Sequence, residues 1–240
     1  MKKSIIFISF LFVVAGMYSQ NKLQGRVYYK ASSIPIDLNF DSSKKKLSKE
    51  TRKMVSDIFK SATDVIGVLE FSNDETLYKL DAEMKNDGAS LINITKIRAG
   101  NEHHYYGNAT SKEYFYQSDV TGEMLLIEML PKKWKLTQET KKIGGYICYK
   151  AIDIESENKK QKPIAWFAPE IPVNSGPKEY IGLPGLILEV QEYGFLFTAT
   201  KIELNPTKKV LIKKPTKGKK TTYKEYKEMT MSFRRMLRKN

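Results

Sequence analysis

The stretch "YIGLPGLILEV", residues 180 to 190, places two glycines and a proline directly before an unbroken apolar run. Proline presets φ near about −65° and glycine accepts the positive φ of the third turn position, so Leu183, Pro184, Gly185 and Leu186 fit a type II β-turn. Gly182 gives room where the chain comes in. Beyond the turn, Leu186 to Val190 has little polar interruption, the pattern of a strand covered on both faces. A phosphate-cradling loop would lead its glycines into a helix, and these lead into a strand. None of Gly182, Leu183, Pro184, Gly185, Leu186 and Ile187 offers a nucleophile, acid, base or metal ligand. The motif is therefore a structural turn that launches a buried strand, and it points to a sheet.

Runs rich in aromatic and β-branched residues, punctuated by Gly, Asn, Asp and Pro, recur at 23–30, 65–71, 75–81, 112–117, 122–129, 134–140, 146–155, 162–168, 186–193 and 195–204. Ten such runs in one domain predict a mainly β, α+β chain: a large curled antiparallel sheet or half-barrel packed with one or two helices. "SNDE" (72–75), "KIGGY" (142–146) and "EYGF" (192–195) tolerate positive φ between strands and read as hairpins. Two segments break the pattern. In 42–64, Leu47, Met54, Val55, Ile58, Phe59 and Ala62 share one helical face, with Ser42 or Ser43 as N-cap. In 221–238, Tyr223, Tyr226, Met229, Thr230, Phe233, Met236 and Leu237 oppose Lys and Arg. Such a basic amphipathic helix commonly docks on its own domain; the alternative is an anionic membrane surface. Between them, "PTKKVLIKKPTKGKK" (206–220) reads as a charged, proline-punctuated flexible connection.

The chain begins MKKSIIFISFLFVVAGMYSQ, two lysines followed by a short apolar run and then small or polar residues, the layout of a secretory signal peptide. The apolar run is shorter than the roughly twenty residues of a spanning helix. The expectation is export, cleavage near residues 19–21, and a mature chain without a transmembrane segment or a cysteine for lipid attachment. The organisation expected is a signal peptide over 1–20, one β-rich domain over 21–204, and a basic linker and amphipathic helix over 205–240. The single cysteine, Cys148, has no partner for an intramolecular disulfide and is expected in a strand core. Lys and Arg number 41 against 27 Asp and Glu, a net charge of +14 concentrated in Lys44–Lys53, Lys208–Lys220 and the C-terminal arginines. Solvated faces are the ordinary explanation of such blocks. An anionic partner is the alternative, and export leaves lipid headgroups or acidic polysaccharide rather than nucleic acid.

The same letters carry a resemblance. "WKLTQETKKIGGYICYKA" (134–151), "IAWFAPEIPVNSGPKEYIGLPGLILEV" (164–190) and, more loosely, "GRVYYKA" (25–31) and "LEFSNDETLYKL" (69–80) resemble, in order, blocks of the GLPGLI family of exported Bacteroidota proteins. The resemblance implies an exported, β-rich protein whose family has no established biochemical role and brings no catalytic residues. In shape, many antiparallel strands curling around a helix, with a free thiol, are similar to the half-barrel of periplasmic lipoprotein carriers, whose concave apolar face holds acyl chains.

Candidate chemistry is sparse. Glu102, His103 and His104 contain the only two histidines; on a strand the two would face opposite sides, on a loop they could share an ion. No G-x-S-x-G elbow is present, and Cys148 in the alternating run "YICYKAIDI" lacks the open, electropositive setting of a nucleophile. In "WFAPEIPVNSGP", Pro169 and Pro172 stiffen a loop that could present Trp166, Glu170 and Asn174 as a binding rim. Stiffening a chain reversal is the plainer use of those prolines. The expected role is a non-catalytic binding or accessory protein of the cell envelope, for an apolar or envelope-derived ligand or an envelope protein partner. The alternatives are a hydrolase assembled from Glu102, His103 or His104 with Glu170, and a purely structural surface-assembly protein. No cofactor or metal is implied.

Overall fold

A computed structural model describes residues 23–35, 48–81, 93–119, 122–156 and 161–237. The expected leader, Ser42, Ser43 and Leu47 lie outside the described residues. Twelve strands and three helices are present among those described: β1 (Gln24–Ser33), α1 (Lys49–Ser61), β2 (Val65–Ser72), β3 (Glu75–Leu80), α2 (Ile94–Arg98), β4 (His104–Asn108), β5 (Glu113–Asp119), β6 (Met124–Glu128), β7 (Trp134–Ile143), β8 (Tyr146–Asp153), β9 (Ile164–Ala168), β10 (Leu186–Glu192), β11 (Phe195–Leu204), β12 (Lys219–Thr221) and α3 (Tyr223–Leu237). No helix among them is long and apolar enough to cross a membrane.

All twelve strands join one open sheet in the order β12-β6-β5-β4-β3-β2-β1-β11-β10-β9-β8-β7. Two antiparallel meanders, β1 to β6 and β7 to β11, are stitched along β1 and β11, where Tyr29 opposes Ala199 and Ala31 opposes Phe197. The three expected hairpins form, with Asn73, Gly144, Gly145 and Gly194 at positive φ.

The link from β6 to β7 fixes the sheet's shape. In a flat sheet these strands, ten positions apart, would lie about 48 Å from each other. The six steps from Glu128 to Trp134 reach at most about 22 Å. The sheet must therefore curl until its two ends face each other.

What fills the curl is mostly the chain's own segment 169–185. Ile171 and Val173 pack with Val27, Tyr29, Leu69, Phe71 and Leu188. Tyr180 and Leu183 pack with Ala31, Val65, Phe167 and Phe197. Further along, a ladder of tyrosines crosses the same side: Tyr29, Tyr78, Tyr105, Tyr116 and Tyr226 follow one another with ring centroids 5.3 to 6.4 Å apart. The ladder passes over Gly67 of β2, where a Cβ would overlap the Tyr78 hydroxyl.

The helices contribute less. Helix α1 is capped by Ser48, whose side chain accepts from the Thr51 N–H, and buries none of its residues. Its Phe59 ring rests 5.5 Å from that of Phe195. Helix α3 docks through Tyr226 against Tyr116.

Three expectations need correction. The 206–220 connection is laced to the sheet rather than loose: Val210 is buried and its N–H donates to Gln24 Oε1. Ile212 packs on Leu77, Tyr106, Phe115 and Leu126, and the chain then forms β12, parallel to β6. Apolar residues at alternate positions let a lysine-rich segment lie down on a sheet. The turn at 183–186 is not type II: the Gly185 N–H donates to Leu183 O (2.9 Å), a three-residue turn centred on Pro184, while the Leu186 N–H goes to Ile171 O (2.9 Å). Gly185 is needed because a Cβ there would overlap the Ala168 carbonyl, where β10 begins to pair with β9. Residues 104–108 and 219–221, not expected as strands, complete the sheet.

Candidate functional site

The turn motif holds the link that closes the curl. The Lys132 N–H approaches Ile181 O at 3.4 Å, the Trp134 indole N–H donates to the same carbonyl at 2.9 Å, and Gly182 lies against Pro131 and Lys132, with φ of 103°. The Gly182 N–H donates to Asn174 Oδ1 (2.6 Å). Residues 131–134, 174 and 180–182 are thereby one tied unit.

Beside this unit is an open groove of ≈ 950 Å³. Tyr114, Phe115, Leu126, Met129, Leu130 and Pro131 give it an apolar lining, and Lys112, Lys220, Glu128 and Asn174 bring polar atoms to it. It exists because β12 runs beside β6 only from Leu125 to Ile127. The chain then turns into α3 through a capping box in which Thr222 Oγ1 donates to Glu225 Oε2 and accepts from the Glu225 N–H. The end of β6 is left unflanked. Leu130, 64% exposed, hangs at the edge. Burial raises the Tyr114 phenol above its ordinary pKa, so it is a neutral donor at this surface.

The expected rim divides. Asn174 lines the groove. Trp166 lies elsewhere, on β9 under the Lys141 ammonium (4.3 Å to the ring centroid), and Lys141 also meets Glu189. Glu170 is exposed in the turn that follows β9. Glu102 is exposed and pairs with Lys96 at 3.5 Å. His103 lies against the Tyr105 and Tyr116 rings with Nε2 2.8 Å from Ser118 Oγ; burial lowers its pKa. His104 begins β4 and is exposed. Strand alternation sends it to the side of Tyr106, away from His103. Among the described residues no group of three or more His, Cys, Asp or Glu side chains is placed to hold a metal ion. Cys148 is fully buried, and burial pushes its thiol up to about 11.

A second polar centre was not anticipated. Glu192, 2% exposed, receives Arg98 Nε and a second guanidinium nitrogen at 2.7 and 2.6 Å, the Tyr180 hydroxyl at 2.6 Å and Lys178 Nζ at 3.2 Å. Burial alone would raise this carboxyl. The charges of Lys178 and Arg98 and the Arg98 and Tyr180 hydrogen bonds reverse that and hold it at about 2. The network ties α2, segment 169–185 and β10 together. Its signal in the sequence is a carboxylate at a core position of "LILEVQE", in step with Leu186, Leu188 and Val190. The groove left no such signal, because its walls come from four separate stretches.

Residues 134–163 and 154–189, which hold β7 to β9 and most of β10, match the model of a family described as a protein of unknown function (Porph_ging). No curated protein matches the chain. Two solved structures of PNGF-II, in space groups P21 and C2, are similar with TM-scores of 0.48 and 0.49 at 17% and 18% identity. They cover 87% and 86% of this chain but 33% and 32% of their own, so the chain spans about a third of the length of those proteins.

Proposed function

We propose that this chain is an exported envelope protein of the GLPGLI type that acts by binding: an apolar or amphipathic envelope-derived molecule lies in the groove between β5, β6 and the start of α3. The observation that carries the reading is the groove itself, an open cavity of ≈ 950 Å³ in which Tyr114, Phe115, Leu126, Met129, Leu130 and Pro131 stand among polar and charged residues, a mixed lining that suits an amphipathic small-molecule ligand. The GLPGLI assignment is supported by the motif at 180–190, nearly all of it inside the 154–189 match. Export is supported by the signal-like residues 1–20. Because segment 169–185 fills much of the concave face that a carrier-like half-barrel would keep for acyl chains, the ligand is assigned to the groove.

The test is native mass spectrometry of protein purified gently from an envelope-bearing host, before and after organic extraction. A stoichiometric apolar adduct is expected, lost on extraction. Leu130→Glu, at an exposed lining position, should cut its occupancy about tenfold. A bare polypeptide mass that persists after incubation with envelope lipids rejects the reading.

A further inference from the structure

We infer that the C-terminal strap, residues 206–221, is a docking stripe for the surface of an anionic lipid bilayer. It carries seven lysines between positions 208 and 220. Lys214 is engaged by Glu113 at 2.6 Å and lies over the Tyr106 ring. The other six, Lys208, Lys209, Lys213, Lys217, Lys219 and Lys220, are exposed and form no ion pair among the described residues. Lys219 acts on the Glu225 carboxylate; the like charges of the others along one segment repel one another and favour an external anion.

The strap is also held in place. Val210 and Pro215 are buried, Ile212 packs on the cluster of Leu77, Tyr106, Phe115 and Leu126, and the Lys217 carbonyl accepts from Gln117 Nε2 at 2.6 Å. β12 adds its pairing to β6. The lysines thus stand on a fixed backbone and lose little further freedom on docking.

The choice of a bilayer over a soluble polyanion comes from Leu211. The alternation that buries Val210 and turns Ile212 inward leaves Leu211 73% exposed, between Lys209 and Lys213. An acidic polysaccharide has no use for that side chain, whereas a headgroup interface accepts an apolar residue flanked by cations. The stripe shares Lys220 and Thr221 with the groove's lining, whereas Lys209, Leu211, Lys213 and Lys217 stand outside it, so substitutions at these four leave the groove's walls intact.

The test is flotation of the full chain with vesicles of phosphatidylcholine alone and of phosphatidylcholine with about a third phosphatidylglycerol. Binding is expected to the second only, and should disappear at about 1 M salt, where the screening length is about 3 Å. Lys209→Gln, Lys213→Gln and Lys217→Gln together should weaken it on the order of a hundredfold. Leu211→Ser should weaken it about tenfold while leaving binding to dextran sulfate unchanged. All the substituted positions are exposed, so unchanged melting temperatures will show that the fold survives. Equal partition to both vesicle types, partition to neither, or no response to the lysine substitutions overturns the inference. Dextran sulfate binding as tight as vesicle binding, with Leu211→Ser without effect on either, would make the stripe a polyanion site and equally overturn it.

Discussion

Glu192 sits where the alternation of β10 calls for an apolar side chain, and its charge is tolerated because Arg98, Lys178 and Tyr180 surround it. Removing one partner from such a network strands the rest, so Glu192→Gln should cost about 3 kcal/mol, read by urea unfolding at neutral pH. The pH dependence has a definite sign. The folded carboxyl titrates at about 2, below its ordinary value of 4.5, so its contribution is fully present above the unfolded value. That contribution is lost as pH falls from there through about 2. Wild type should lose stability over this window with a steeper slope than Glu192→Gln; parallel slopes would show that acid sensitivity arises elsewhere. That residues 182–186 turn the chain was legible from their chemistry, and in the structure Gly182 has a φ of 103° and Gly185 lies where a Cβ would overlap the Ala168 carbonyl. The geometry of the turn was not legible, because Leu186 gives its N–H to Ile171, a partner that local turn preferences cannot foresee.

The strands that were legible are runs of aromatic and β-branched residues bounded by turn residues, whether alternating as in β8 or continuous as in β10, and the two that were not fail for different reasons. β4 begins at His104, the second of the two histidines that drew attention to metal chemistry, and its buried residues Tyr105, Tyr106 and Gly107 are consecutive rather than alternate, because both sheet faces are covered there. β12 is three residues of Lys, Lys and Thr, whose pairing is decided by the edge of β6. The tyrosine ladder shows how one strand's omission becomes another's packing: Gly67 of β2 clears the space over which Tyr78 reaches the Ala99 carbonyl. Gly67→Ala would force the ring aside, and overpacking of this kind costs about 2 kcal/mol. The melting temperature should fall on the order of 6 °C, with Tyr78→Phe in the same background recovering part of the loss by removing the clashing hydroxyl. No recovery would place the strain elsewhere than at that contact.

The two meanders touch along β1 and β11 and through the link at 129–133, which the motif holds down. If these joints are tight, the curled sheet unfolds as one unit. Tyr29 tests this because its hydroxyl, buried on β1, donates to Ile187 O of β10 at 2.7 Å and so ties one meander to the other. Tyr29→Phe leaves a buried carbonyl without that donor and should cost about 1–2 kcal/mol. Where the loss appears is the informative part. The chain's two tryptophans, Trp134 and Trp166, both lie in the β7–β11 meander, so their fluorescence follows that half while far-UV circular dichroism follows the whole. In wild type the two urea transitions should coincide, and in Tyr29→Phe they should shift together to lower urea. Fluorescence that stays in place while the circular dichroism midpoint falls would mean that the halves melt separately, and that the seam aligns two sheets without making them one.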